Sequence, residues 1–277
     1  MPDTLPLSTE ALLRQRYPEG DAPAGLPLND TLRVLLDHRS CRNFAPTPLA
    51  PEVLGTLIGA AQSAPTSSNL QSWSVVAVQD PARKSRLATL AADQAFIRAA
   101  PLFLCFVADL SRLDRLGKAQ GQELEGLRYL ESFVIAAIDA ALAAQNVVVA
   151  AESLGLGTVY VGAARNRPAE FAAELALPPE AAVVFGLAVG HPDPAVGSGI
   201  KPRLPASLVL HHETYGATDE AAGIARYDAA MRRFSRDQGM RETGWISRVL
   251  SRVASGASLS GRDRLKEILS GLGFGLR

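Results

Sequence analysis

The chain has 277 residues, 47% apolar and 20% charged, which is ordinary for a globular protein and enough to bury a sizeable core in one or two domains. Lys+Arg and Asp+Glu number 28 each, so bulk charge selects no partner, although residues from Arg226 onward carry eleven cations against five anions and the preceding stretch is correspondingly acidic. Cys41 and Cys105 share no CxxC spacing, which gives neither a disulfide framework nor a zinc signature and suits a reducing compartment.

No basic segment followed by an apolar run opens the chain, so the expected location is cytoplasmic. Residues 1–27 are rich in proline and small polar side chains. They read as an extension with one short helix, 10–16, ahead of a single domain over 28–277. Asn29 or Asp30 can N-cap a helix through Leu32, Leu35 and Leu36 that ends near Arg39. Pro51, at a first-turn position, opens a helix to residue 62. The polar loop 65–71 leads to a strand over 74–78. Asp80-Pro81 starts a helix through Leu87 and Leu90, and 101–108 reads as a buried strand.

Residues 127–153 are apolar on nearly every face, with Phe133, Val134, Ile138, Leu142, Val147 and Val148 spaced by alanines. A helix of that kind is expected to be buried. Asp139, Gln145, Asn146 and Glu152 interrupt it and argue against a membrane span. Gly155 is a natural C-cap, and Thr158 to Val161 read as a strand ending at Gly162. A helix over 168–175, a strand over 183–189, a proline-rich connection and a short segment at 207–210 follow. Helical stretches at 220–236, 245–253 and 263–269 complete the chain. Strands and helices mix without regular alternation, which indicates α+β.

Two short motifs carry cations in a suggestive arrangement. His38-Arg39-Ser40-Cys41-Arg42 sets two guanidiniums three residues apart at a helix end, suited to a phosphate or other planar anion, or equally to the negative end of the helix dipole. Lys201-Pro202-Arg203 holds two cations in a stiffened loop, ready for a phosphate or simply for solvent. The hydroxyl-rich loop with Thr66, Ser67 and Ser68 can form turns or satisfy the edge of a polar ring. Gly155-Leu156-Gly157 is not a dinucleotide fingerprint, because it runs from helix to strand and lacks the third glycine. His211-His212 has no metal-ligand spacing around it, so no metal is expected. No nucleophile–base pair is evident, and any chemistry would be carried by a cofactor.

Taken in order, the segments 38–44, 66–68 with 70–71, Gln94, 139–144 with 151–157, 159–162, Arg165-Asn166, 185–187 and 201–207 resemble the FMN-dependent, oxygen-insensitive NAD(P)H nitroreductase and flavin reductase family, in its larger, NADPH-preferring branch. The resemblance implies a three-layer α+β sandwich with a mostly antiparallel sheet, forming an intertwined homodimer with FMN at the subunit interface. The long apolar helix would then be an interface helix. By the same resemblance Arg39, Lys201 and Arg203 would grip the FMN phosphate, with His38 and Ser40 beside them. Arg42 would approach the pyrimidine side, and Thr66, Ser67, Ser68 and Gln94 would bond ribityl or ring edges. Tyr160, Val161, Gly162 and Ala163 would present main-chain groups near the reactive side. Arg236 and Arg241 would contact the 2′-phosphate of NADPH.

The implied activity is ping-pong, two-electron reduction of nitroaromatics, quinones or free flavin. A flavin-binding carrier or sensor without useful reductase activity is the alternative. The basic C-terminal quarter lacks the aromatic interleaving of a nucleic-acid binder, and no membrane partner is expected. The chain departs from the family pattern at Ala163, where a second glycine is common, at Pro65 and Asn69, and in its N-terminal extension.

Overall fold

Residues 102–109 form the centre of an antiparallel sheet, covered on both faces. The computed structural model describes residues 8–17, 22, 29–216 and 220–277. In chain order its helices and strands are α1 (Thr9–Arg16), α2 (Asp30–Asp37), α3 (Pro51–Gln62), β1 (Trp73–Val78), α4 (Pro81–Leu90) and α5 (Ala95–Ala99). Next come β2 (Leu102–Asp109), α6 (Ser111–Ala119), α7 (Leu130–Ser153), β3 (Gly157–Val161), α8 (Pro168–Glu174) and β4 (Ala181–Gly190). The chain closes with α9 (Glu220–Asp237), α10 (Trp245–Arg252) and α11 (Leu265–Gly271). These residues group into two compact units, one drawn from residues 1–39 and 197–258, the other from 40–196 and 259–277.

The second unit holds the sheet, in the order β1-β2-β4-β3, with every neighbouring pair antiparallel. Every residue of β2 is buried, as a strand apolar at nearly every position requires. Phe103, Cys105 and Val107 face one layer, where Leu87 and Ala88 of α4, Ile97 of α5 and Phe171 of α8 pack. Leu102, Leu104 and Phe106 face the other, against Leu57 and Ala61 of α3 and Ala140, Ala143, Ala144 and Val147 of α7. This is the expected three-layer α+β arrangement. On the α7 side, Trp73, Phe106, Phe185 and Tyr160 form a row of rings from one sheet edge to the other, with successive centroids 6.3, 5.7 and 5.2 Å apart.

The sequence places α7 well but misjudges its surroundings. The helix has 24 residues, about 36 Å at 1.5 Å per residue. Only one side of it meets the sheet. Leu130, Val134, Ile138 and Leu142 are exposed, Ile138 by 52%, and their four-residue spacing makes a single stripe. All-round apolarity therefore does not mean burial within one chain.

By length and composition alone α7 could cross a membrane, yet each of its interior polar residues is bonded within the unit. Asp139 accepts from Ser67 and Ser72, Gln145 accepts from the Tyr160 hydroxyl, Asn146 donates to the Ala60 carbonyl, and Glu152 accepts from Thr158.

Other boundaries agree with the sequence within a few residues, and Gly155, at φ +75°, follows the end of α7 as a C-terminal glycine should. Two helices escape sequence reading. α5 has five residues, too few for a periodic signal, and α6 carries Arg112, Asp114, Arg115 and Lys118 around only two large apolar side chains, Leu113 and Leu116. Residues 206–208 form a 3-10 turn.

In the first unit, Ser8 caps α1 by accepting from Ala11 N at 3.2 Å, and Asn29 caps α2 by accepting from Leu32 N at 2.9 Å. Asp228 of α9 accepts from Ile246 N at 2.8 Å and from Arg232 Nε at 2.9 Å. It thereby anchors the start of α10 to α9. Apart from Ser8, α1, Tyr17 and Ala22, the 1–27 extension lies outside the described residues.

Candidate functional site

In the second unit the basic motif is laid along the sheet by main-chain bonds. Ser40 bridges Thr158 of β3 in parallel, and Cys41 N donates to Thr158 O at 2.8 Å. Phe44 bridges Pro192, and Ala45 N donates to His191 O at 2.9 Å. This approach needs two glycines that face each other across β3 and β4, Gly157 and Gly190. A Cβ on Gly157 would stand 2.6 Å from Cys41 Cβ, and one on Gly190 would stand 2.9 Å from Phe44 Cδ1. Arg42 is left exposed and makes no ion pair among the described residues.

Tyr160 and Val161 end β3, and Gly162 and Ala163 begin a 3-10 turn, Gly162–Asn166. A bulge fixes this turn in place. Phe106 pairs with Phe185 but Val107 pairs with Val183, so Val184 lacks a cross-strand partner and its carbonyl accepts from Arg165 Nη1. Arg262, from the C-terminal segment, donates from Nε to Asn166 Oδ1 at 2.8 Å. Burial pushes the Tyr160 hydroxyl well above its ordinary range, with the Glu152 charge adding to the effect. It remains a neutral donor to Gln145 Oε1 at 3.3 Å. Gln94 stands at the N-terminus of α5, its carbonyl accepting from Ile97 N at 3.1 Å.

Thr66, Ser67 and Ser68 belong to the α3–β1 connection, beside the edge strand opposite to β3. Three strand spacings separate β1 from β3, about 14 Å at the usual interstrand distance. Ser40, Tyr160, Val161, Gly162 and Ala163 are thus gathered at one edge of the sheet, while Thr66, Ser67 and Ser68 lie at the other.

The first unit carries the remaining candidates. His38 ends α2, and Arg39 donates from Nη1 to Asp37 Oδ1 at 2.6 Å, with both side chains about 40% exposed. A guanidinium has five N–H donors, so this pair leaves most of them for another acceptor. Arg203 Nη1 donates to the carbonyls of Lys201 and Pro202 at 3.0 and 3.2 Å. Both acceptors are neutral, so the Arg203 charge is not cancelled by them.

The two basic loops are joined by a residue that sequence reading did not single out. Arg16 donates to the carbonyls of His38 and Lys201 at 2.6 and 2.9 Å. No local pattern signals it, because its partners are far away in sequence. Arg236 lies in the last turn of α9, 3.5 Å from Glu242 Oε2, and Arg241 is exposed in the following loop. That loop is held by Ser235, whose Oγ donates to Thr243 O at 3.1 Å, and by Gln238, which accepts from Gly199 N at 2.8 Å.

Among the described residues no group of three His, Cys, Asp or Glu side chains is placed to hold a metal. The cationic side chains of the first unit are of a kind that binds phosphate, and the turn of the second unit offers main-chain groups.

Residues 35–191 match the Nitroreductase family and residues 201–277 match the Nitroreductase family, C-terminal domain. The FMN reductase (NADPH) of Bacillus subtilis strain 168 is 40% identical over 229 residues, 81% of this chain and 91% of that protein. The solved structure of NfrA2 from B. megaterium is 36% identical and superposes with a TM-score of 0.84, covering 90% of this chain and 100% of that one. The NADPH:FMN oxidoreductase from Vibrio harveyi, solved in complex with NAD+, is 34% identical with a TM-score of 0.80, again covering 90% of this chain and 100% of that one. By these family matches and relatives, the chain belongs to the nitroreductase family.

Proposed function

We propose that the protein is an FMN-dependent NAD(P)H oxidoreductase that reduces nitroaromatics, quinones or free flavin in two-electron steps, with NADPH as the preferred reductant. The observation that carries this reading is the basic cluster of the first unit, where the loops of Arg39 and of Lys201 and Arg203 are tied together. Those three cations, with His38, would hold the FMN phosphate. Bound there, FMN would supply two-electron redox chemistry between NAD(P)H and the oxidant.

The chain's own groups position and polarise. Arg42, pinned by its neighbours to β3, offers a positive charge to the pyrimidine side, where negative charge develops. Tyr160, Val161, Gly162 and Ala163 give a turn held by Arg165 and Asn166, with small residues that let a planar ligand approach. Gln94 supplies an amide for a ring or ribityl edge. Arg236 and Arg241 offer charge to the 2′-phosphate of NADPH.

The protein acts as a homodimer in this reading. Two features support it: the exposed apolar stripe of α7, and the placement of Thr66, Ser67 and Ser68 too far from Tyr160 to serve the same ring from one chain. The hydroxyl loop would then serve the flavin held by the second copy. Nucleic acid has no part in this reading, since Tyr227 and Trp245 in the basic quarter pack on each other at 5.5 Å. Cys41 and Cys105 are buried and form no disulfide among the described residues, which suits a cytoplasmic setting.

An anaerobic titration of the purified protein with NADPH and then NADH, following the flavin absorption bands, tests the proposal. The expected result is a yellow protein that NADPH bleaches faster than NADH. A yellow protein bleached by neither would point to a flavin carrier or sensor. A colourless protein that takes up no FMN would remove the assignment.

A further inference from the structure

Arg16 lies in the N-terminal extension, ahead of residue 35 where the family match begins, and it is only 4% exposed. A buried guanidinium is tolerated only when its donors are met. Those of Arg16 reach two separate segments of the first unit. Nη1 donates to Lys201 O at 2.9 Å, and Nη2 donates to Leu36 O at 2.9 Å and His38 O at 2.6 Å. In return Arg203 N donates to Arg16 O at 3.0 Å. The extension is anchored beside this group by Leu12, one turn earlier on the same face of α1 and only 2% exposed.

Leu36 and His38 close α2, a helix with no basic residue in its last turn. The final carbonyls of a helix lack intrahelical donors and form its negative end. Left bare, they would oppose an anion brought to Arg39. Arg16 covers two of them and spends its third bond on the loop that carries Lys201 and Arg203. A lysine could not do the same, since its point charge lacks the fork that reaches both segments.

We propose that Arg16 is a positioning residue for the cofactor phosphate. It staples the Arg39 loop to the Lys201–Arg203 loop and masks the negative end of α2, making the extension part of the phosphate grip. The inference rests on the flavin reading given above, and the test separates the two.

The test compares FMN with riboflavin, which lacks the phosphate, by fluorescence titration of the full-length apoprotein, wild type, Arg16→Met and Arg16→Lys. Wild type should bind FMN more tightly than riboflavin. Arg16→Met should weaken FMN binding roughly tenfold or more, the scale of lost charge-assisted hydrogen bonds, and leave riboflavin binding unchanged. Arg16→Lys should fall between, and it is read by the same ratio if the methionine variant does not fold. An equal loss for both ligands would mean that Arg16 only supports the fold, and no loss for either would mean that the staple is irrelevant to binding. Each result overturns the proposal. A wild-type protein with no preference for FMN would remove the phosphate grip itself, before any variant is made.

Discussion

Asp139 Oδ1 accepts the main-chain N–H of Ser67 at 3.1 Å, across 72 positions of sequence. Its other oxygen accepts from Ser72 N at 3.4 Å and Ser72 Oγ at 3.3 Å. One carboxylate, 1% exposed, thus closes both ends of a loop in which Ser68, Asn69 and Gln71 all have positive φ, at 48, 54 and 50°. Such angles are unfavourable for residues with a Cβ, so the loop keeps its shape through this buried carboxylate.

Replacing Asp139 with asparagine puts an amide donor opposite N–H and O–H donors. The expected cost is about 1–3 kcal/mol of stability, with weaker FMN binding because Thr66, Ser67 and Ser68 are no longer presented in order. Urea unfolding and flavin titration measure the two effects. Lost stability with intact flavin affinity would exclude the loop from the cofactor site.

Gly157→Ala should destabilise the protein by about 1–3 kcal/mol, the usual cost of overpacking. The new methyl group would stand 2.6 Å from Cys41 Cβ and 2.7 Å from its sulfur, forcing residues 40–44 off the sheet. Gly162→Ala is the control. Its Cβ would meet nothing nearer than Arg165 Nη2 at 3.6 Å, and it should change stability by less than about 0.5 kcal/mol. Melting temperatures of the two variants decide the matter, and equal shifts would discard the close-approach explanation.

Much of this architecture can be read from the sequence. Asn29, Pro51 and Asp80-Pro81 mark helix starts by local chemistry, and the apolar run around Phe103 announces a strand covered on both faces. The basic motifs are equally visible, since cations at short spacing form a pattern. Arg16, Asp139 and Gly157 form none. Each acts on a partner reached only after folding, and a single arginine, aspartate or glycine has many ordinary explanations. The stripe through Ile138 is hidden for a different reason, because apolarity alone cannot separate a core from an exposed apolar surface.

Acid should reveal Asp109. Burial alone would raise its carboxyl, but hydrogen bonds from Ser111 and Ser74 and the charge of Arg112 outweigh that and hold it below its ordinary value of 3.8. The unfolded chain therefore takes up the proton first as pH falls. The stability this group confers is complete above about 3.8 and is lost between that pH and its lower native value. Urea midpoints measured from pH 7 to 3 should fall more steeply in the wild type than in Asp109→Asn. Parallel curves would show that the carboxylate contributes nothing to acid sensitivity.

Arg236→Ala should raise KM for NADPH much more than KM for NADH, since only NADPH carries the 2′-phosphate. Glu242, 3.5 Å from Arg236, competes for the same charge, so Glu242→Gln should lower KM for NADPH. Steady-state kinetics with both reductants provide the measurement. A uniform change with the two nucleotides would locate Arg236 away from the phosphate.

Ile138→Glu places a carboxylate in the middle of the exposed α7 stripe without touching the sheet. On the proposed dimer reading the wild type should sediment as a dimer and the variant as a monomer at the same concentration, with loss of flavin. Unchanged sedimentation would assign the stripe to some other use.

The bridge between Ser40 and Thr158 has a further effect, on solubility. β3 is the outermost strand of an open sheet, and bare strand edges invite pairing with neighbouring chains. The segment bearing the basic motif occupies part of that edge and shields it. Damage that frees residues 40–44 would therefore expose an aggregation-prone border, and on the proposed flavin reading chains that lose the cofactor in this way should also be the ones that precipitate.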